Sequence, residues 1–181
     1  MKPIRRIVAA CDAAGVSRIV ADAVLPAPHH PGNNPKHAIH EIWRTDAAPA
    51  TYAQWSGQSG PFRLAPGTDG TALRIIDLPP DRERDFSTLR QVFDAYEAPD
   101  ALAHRPARHP AFHQTATVDY ALVLEGEVWA MLDEGETLMQ AGDVLIQLGS
   151  NHAWSNRSDA NCRLLFVLID GARPAGASAL P

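Results

Sequence analysis

Two histidines and an aspartate in the second half of the chain have the types and spacing of a metal site. In the run HQTATVDYALVLEG, His113, Thr115, Thr117 and Asp119 occupy alternate positions. On an unbroken strand they share one face, because side chains two apart point the same way. His152 lies just beyond the apolar run DVLIQLG. In a closed β-barrel a ligand near one strand end faces ligands on an opposite strand. His113, Asp119 and His152 would then make a two-histidine, one-carboxylate set with positions left open to water or substrate. Their nitrogens and oxygens would converge on a point ~2.0–2.2 Å from each. Imidazole with carboxylate suits Fe, Zn, Mn or Ni, and the choice among these divalent transition metals stays open. The plainer reading is a polar barrel wall without metal, in which Asp119 bonds to backbone or orients a histidine.

Other residues are candidates for the cavity wall rather than for the ion. Thr115 stands beside the histidines, but a neutral hydroxyl is a poor ligand for such a metal. Gln147 shares the facing of Leu145, and Trp154 has the parity of His152. His109 precedes His113 by four residues, although Pro110 interrupts any strand between them. His29, His30, His37 and His40 cluster in sequence, yet their irregular spacing reads as solvent-exposed loop histidines, with His40 facing outward from a strand.

The elements that must position these groups are short strands. RRIVAA, SRIVADAVL, AIHEIW, ALRIIDL, YALVLEG, EVWAML, DVLIQLG and RLLFVLID are apolar or alternating runs bounded by Gly, Pro, Asn or Asp. SRIVADAVL also admits a helical turn. The stretch 26–35, PAPHHPGNNP, is a loop, since its prolines remove ladder donors and its Gly and Asn favour turns. A single helix is expected over Phe86 to Glu97, where Phe86, Leu89, Val92, Phe93 and Tyr96 share a face between Asp85 and Pro99. That face is expected on the outside of a barrel. Many strands at short spacing with one helix indicate a sandwich or barrel rather than βαβ units.

Composition sets the outer bounds. The chain has 181 residues, 45% apolar and 20% charged, as in an ordinary single globular domain. Its net charge of −5, without a Lys/Arg-rich run, argues against nucleic acid or an anionic membrane as partner. Asp12 cuts short the apolar stretch after Arg5 and Arg6, so no signal peptide is expected and a cytoplasmic address is the default. Cys11 and Cys162 do not make a disulfide framework, and Cys162 is expected to pack in the final strand.

From His113 onward the chain resembles the cupin superfamily, whose two motifs are G-x5-H-x-H-x3–4-E-x6-G and G-x5-P-x-G-x2-H-x3-N. His113 matches the first histidine, Asp119 stands at the acidic position, and Gly126 follows after six residues. Gly142, Gly149, His152 and Asn156 supply the second motif. The departures are Thr115 for the second histidine, Asp119 for glutamate, Ala107 for the leading glycine, Gln147 for proline, and a gap one residue short after Gly142. The match covers about a third of the chain. The resemblance implies an all-β, cupin-type antiparallel barrel (jelly roll) with additional N-terminal strands and one short helix. On this reading 1–105 packs on the barrel, 106–172 forms its core, and 173–181 is a flexible tail of the same domain. It also implies a homodimer, to which the apolar N-terminal strands are suited.

Two functions of different class follow. One is a metal-dependent enzyme acting on a small organic molecule, of lyase, isomerase or dioxygenase type. The other is a non-catalytic, small-molecule-binding or sensory cupin. The sequence names neither substrate nor catalytic acid or base.

Overall fold

The computed structural model describes residues 2–51, 61–102 and 107–172. The expected tail at 173–181 lies outside the described residues, as does Pro106 at the expected boundary. Ten strands and one α-helix follow in order: β1 (Arg5–Cys11), β2 (Ser17–Val24), β3 (Ala38–Thr45), β4 (Thr71–Leu78), α1 (Leu89–Ala95), β5 (Thr117–Glu125), β6 (Glu127–Leu132), β7 (Glu136–Gln140), β8 (Val144–Leu148), β9 (His152–Ser155) and β10 (Cys162–Asp170). SRIVADAVL is therefore a strand. All eight expected strands form, and β7 and β9 are additional.

The strands pair into a five-stranded sheet in the order β3-β4-β10-β5-β8, a three-stranded sheet β7-β6-β9, and the hairpin β1-β2. All the pairings are antiparallel. The two larger sheets are not closed into one cylinder among the described residues. They face each other instead, and their inner side chains form one core. Ala121 and Val123 from β5 and Leu164, Phe166 and Leu168 from β10 meet Val128, Ala130 and Met139 from β6 and β7. Alternation on β5 decides which residues reach this core. Thr117, Asp119, Ala121 and Val123 are buried, whereas Tyr120 is exposed and Leu122 and Leu124 are half-buried on the opposite face.

Gly126 alone separates β5 from β6. Its φ is +78°, and a Cβ there would come within 3.0 Å of the Asn161 carbonyl oxygen, so glycine is required for this reversal. The ends of β4 and β9 are tied by Asn156, whose buried amide donates to the carbonyls of Leu78 (2.9 Å) and Ala160 (2.8 Å). On the outer side of the large sheet Arg163 donates two bonds to Asp77, at 2.6 and 2.9 Å. His40 faces this outer side, as its parity requires, but is covered there, with Nε2 3.4 Å from Asp77.

The helix is shorter than its periodicity suggests. Residues Phe86–Thr88 form a 3-10 turn, entered at Asp85, whose carboxylate accepts from the Ser87 amide (2.9 Å), and α1 ends at Ala95. It does not lie against the outside of the sheets. Leu89, Val92, Phe93 and Tyr96 close the open end of the space between them, which leaves Phe93 5% exposed. The 3.6-residue period identifies an apolar face but not the surface it will cover. No helix among the described residues is long and apolar enough to cross a membrane.

Candidate functional site

Between the two sheets and under α1 lies a cavity of about 150 Å³. Its wall is mostly apolar, with Ile76, Phe93, Trp154, Leu164 and Phe166 prominent. The polar groups on it include His113, Thr115, Asp119 and His152 from the two motifs.

The two histidines meet through the backbone. His113 lies outside β5, because the strand breaks at 114–116, and so the expected run of four like-facing residues is interrupted. A short bridge holds it instead between Leu102 and His152. The amide of His113 donates to the carbonyl of His152 (2.8 Å), and the reverse bond is 2.9 Å. His152 opens β9, where it pairs with Leu132 of β6. This bridge sets the imidazole centroids 4.2 Å apart. Phe93 packs edge-on against His113 at 5.4 Å, and Trp154 lies 6.0 Å from His152.

Each ring is anchored at Nδ1. That nitrogen lies 2.9 Å from the carbonyl of Ala111 in His113 and 3.0 Å from the carbonyl of Ser150 in His152. A carbonyl only accepts, so these contacts place the proton on Nδ1 and the lone pair on Nε2, which in His152 lies 3.2 Å from the Gln147 amide nitrogen. Burial, outweighing the other influences, holds both rings neutral. The pKa of His113 falls below its ordinary value and that of His152 falls well below, helped by its histidine neighbour.

Asp119 enters from the facing sheet and is reached through Gln147, its cross-strand partner on β8. The Gln147 amide nitrogen lies 3.5 Å from Asp119 Oδ2 and 2.6 Å from His152 Nδ1. Asp119 Oδ1 and Gln147 Oε1 are buried without a hydrogen-bond partner. Burial raises the Asp119 carboxyl above the usual range, against the opposing Thr117 hydrogen bond and the Arg74 charge. The structure thus joins His113 with His152 and connects Asp119 to them through an amide. Among the described residues no three His, Cys, Asp or Glu side chains are grouped so as to hold a metal ion.

The other candidates divide. Thr115 and Trp154 are on the cavity wall, and Thr115 Oγ1 lies 2.7 Å from Thr117 Oγ1. Gln147 is buried behind the histidines. His109 is elsewhere, with its Nε2 3.3 Å from Asp81 and its ring against Phe86. Pro110 and the turn after it separate His109 from His113.

Four residues on the wall were not among the cavity candidates read from the sequence: His37, Arg74, Arg84 and Tyr96. His37, expected in solvent, is drawn inward, and burial, with help from Arg84, pushes its pKa down to about 3. Arg74 was detectable, because on β4 it shares the inward facing of Ala72, Ile76 and Leu78. Its guanidinium is occupied by Glu41 (3.0 Å) and by the carbonyls of Arg63 and Leu64 (2.5 Å each). Arg84 pairs with Asp81 (3.0 Å) and donates to the Trp154 carbonyl (3.2 Å). Burial raises the Tyr96 hydroxyl to about 12, so it remains a neutral phenol.

No family model matches the chain. It is 43% identical over 72 residues to phomopsin biosynthesis cluster protein D of Diaporthe leptostromiformis, covering 39% of this chain and 38% of that one. It is 41% identical over 73 residues to oryzines biosynthesis cluster protein J of Aspergillus oryzae, covering 39% and 40%. It is 39% identical over 62 residues to a cupin-domain-containing oxidoreductase of Hypocrea virens, covering 32% of each. The matched stretches thus span well under half the length of these relatives. Among solved structures, a putative ethanolamine utilization protein of Salmonella typhimurium aligns with a TM-score of 0.42 and 14% identity, over 95% of this chain and 100% of that one. A conserved-barrel cupin of Salinispora arenicola aligns with a TM-score of 0.41 and 12% identity, over 82% and 90%. The two-sheet β fold brings the histidines of both motifs into contact, and over about a third of its length the chain is similar in sequence to cupin-domain proteins, which supports a small cupin.

Proposed function

We propose that this cupin is a metal-dependent enzyme acting on a small, uncharged, largely apolar organic molecule. One observation carries the reading: two neutral imidazoles in contact, each with Nδ1 at a main-chain carbonyl and its lone pair on Nε2. That is the usual anchoring of a metal-ligating histidine, whose other ring nitrogen is held by a carbonyl or carboxylate. The donor types fit a divalent transition metal, and two buried oxygens lack partners: Oε1 of Gln147, whose amide nitrogen contacts His152, and Oδ1 of Asp119 behind it. His113 and His152 would hold the ion, with Asp119 as the carboxylate donor. When bound, such an ion supplies a Lewis acid with positions open to a carbonyl, water or dioxygen.

The remaining wall defines the substrate. A cavity of about 150 Å³ is the size of one that admits benzene. Phe93, Trp154 and Phe166 offer ring faces to an apolar ligand. The two arginines are neutralised, Arg74 by Glu41 and Arg84 by Asp81, so among the described residues the wall offers no unpaired cation to an acidic group. The relatives named oxidoreductases favour an oxidative reaction over a lyase or isomerase reaction.

The second reading is a cupin that binds a small molecule without catalysis. It is favoured by the separation of Asp119 from the histidine pair. Elemental analysis of untagged protein, followed by titration of the apoprotein with Fe(II), Mn(II), Ni(II) and Zn(II), distinguishes the two. Uptake of one ion per chain supports the enzyme. No uptake at millimolar metal leaves the binder.

A further inference from the structure

His109 lies behind the cavity wall, yet hydrogen bonds tie it step by step to the histidine pair. Residues 109–112 form a turn with Pro110 at its second position, which the fixed φ of proline suits. The Phe112 amide donates back to the His109 carbonyl (3.3 Å). The amide of Ala111, third in the turn, donates to Nδ1 of the His109 ring (3.1 Å). An amide N–H only donates, so the His109 proton is on Nε2, which lies 3.3 Å from Asp81 Oδ2. His113 has the opposite tautomer, because its Nδ1–H donates to the Ala111 carbonyl (2.9 Å). Ala111 is therefore held at its amide by one histidine and holds the other with its carbonyl.

Asp81 joins this turn to β9. Its Oδ2 accepts from the Ser155 hydroxyl (2.5 Å), and its Oδ1 accepts from the Asn156 amide (3.3 Å) and from Arg84 (3.0 Å). Its own amide donates to the Asn156 carbonyl (2.8 Å). Ser155 follows His152 by three residues on the same strand. Burial favours the neutral acid, but the bonds from His109 and Ser155 and the Arg84 charge outweigh it and hold the Asp81 carboxyl below its ordinary range. A charged acceptor makes the stronger hydrogen bond. The His109 ring is 8% exposed, with Phe86 packed edge-on at 4.9 Å, so it has little room to turn.

We propose that His109, oriented by Asp81, is a positioning residue for the histidine pair: it aims the Ala111 carbonyl at His113 Nδ1 and so keeps the His113 lone pair on Nε2. This role rests on the reading of His113 as a metal donor, whose ring orientation and basicity depend on the group behind it. His152 has its own anchor at Ser150 (3.0 Å) and does not depend on His109. Were the turn held by burial of Phe112 alone (1% exposed), removing the His109 ring would leave His113 unchanged.

The test reads the ring 15N shifts of the full-length apoprotein as wild type, His109→Leu and His109→Asn, with a circular dichroism melt of each to confirm folding. In the wild type His109 should carry its proton on Nε2 and His113 on Nδ1. In His109→Leu the His113 proton should spread over both ring nitrogens, while the His152 shifts stay at their wild-type values. His109→Asn should restore the Nδ1–H tautomer of His113, because an asparagine side-chain oxygen accepts from the amide two residues on. Should His109→Leu fail to fold, the wild-type tautomers and His109→Asn still decide the matter. The proposal is overturned by a His109 proton on Nδ1, by a His113 that keeps its tautomer in His109→Leu, or by no restoration in His109→Asn. The shifts are read without metal, so they decide the positioning role whether or not the metal reading stands. Where the wild type takes up Zn(II), affinity should fall at least tenfold in His109→Leu and recover in His109→Asn.

Discussion

His113 and His152 are joined twice, by reciprocal backbone hydrogen bonds of 2.8 and 2.9 Å and by imidazoles 4.2 Å apart. The backbone bridge is independent of side-chain identity, so it aligns whatever side chains occupy the two positions. Either histidine can therefore be replaced without releasing the segments that carry them.

The first prediction uses that independence. His152→Ala should abolish metal uptake, measured by titration of the apoprotein, and lower stability by only about 1–2 kcal/mol. The bridge persists, and the ring lost has no charge to leave uncompensated. Thr115→His should act in the opposite direction and tighten metal binding at least tenfold, since Thr115 already faces the cavity. Unchanged uptake in His152→Ala would move the metal away from the histidine pair.

Gln147 gives the second prediction. His152 Nδ1 lies 3.0 Å from the Ser150 carbonyl and 2.6 Å from the Gln147 amide nitrogen. One ring nitrogen cannot donate to the first and accept from the second. The Ser150 contact leaves the lone pair on Nε2, where Gln147 at 3.2 Å competes with a metal for it, whereas donation from Gln147 to Nδ1 puts the proton on Nε2. Gln147→Leu removes the competing donor and should strengthen metal binding several-fold. The spectroscopic check is the His152 ring 15N shifts of the apoprotein, which should move to the Nδ1–H tautomer. If binding weakens instead, Gln147 is itself a donor to the metal.

How much of this was legible in the sequence follows from what each residue obeys. Asp119 and Tyr120 were assigned to opposite faces because a two-residue period has no exceptions within a regular strand. His113 and His152 could be named from their motifs, but their contact depends on the long-range bridge between residue 113 and β9. β9 itself, HAWS, is too short and too polar at its ends to announce a strand. His37 was assigned to solvent because a Pro- and Asn-rich loop normally is, and its place on the cavity wall is set by packing against elements far away in sequence. The same limit applies to α1, whose apolar stripe was visible but whose place over the cavity was not.

The third prediction concerns the ligand. Benzyl alcohol should bind the apoprotein more tightly than benzoate by at least tenfold in calorimetric titrations. Both fit a space of about 150 Å³, but burying a carboxylate without a free cation costs several kcal/mol. Phe93→Ala should weaken benzyl alcohol binding and cost about 3 kcal/mol of stability, as large-to-small changes at buried aromatic sites do. A preference for benzoate would show that Arg74 or Arg84 is available to ligands.

The last prediction is the acid limb of stability, and His37 sets its sign. In the unfolded chain this histidine titrates near its ordinary 6.5, while in the fold burial and Arg84 push it down to about 3. Between those values the unfolded state binds a proton that the folded state does not, so lowering the pH favours unfolding. The contribution of His37 is fully present above pH 6.5 and is lost progressively as pH falls toward 3. At pH 5 the loss from this one group reaches up to about 2 kcal/mol, at 1.36 kcal/mol per unit. Denaturant midpoints of the apoprotein should therefore fall steadily between pH 7 and pH 4. His37→Phe should flatten that slope, because it keeps an apolar ring at the site and removes the titration. If the variant retains the full wild-type slope, His37 is not the group that is protonated on unfolding, and the acid sensitivity belongs to other buried groups.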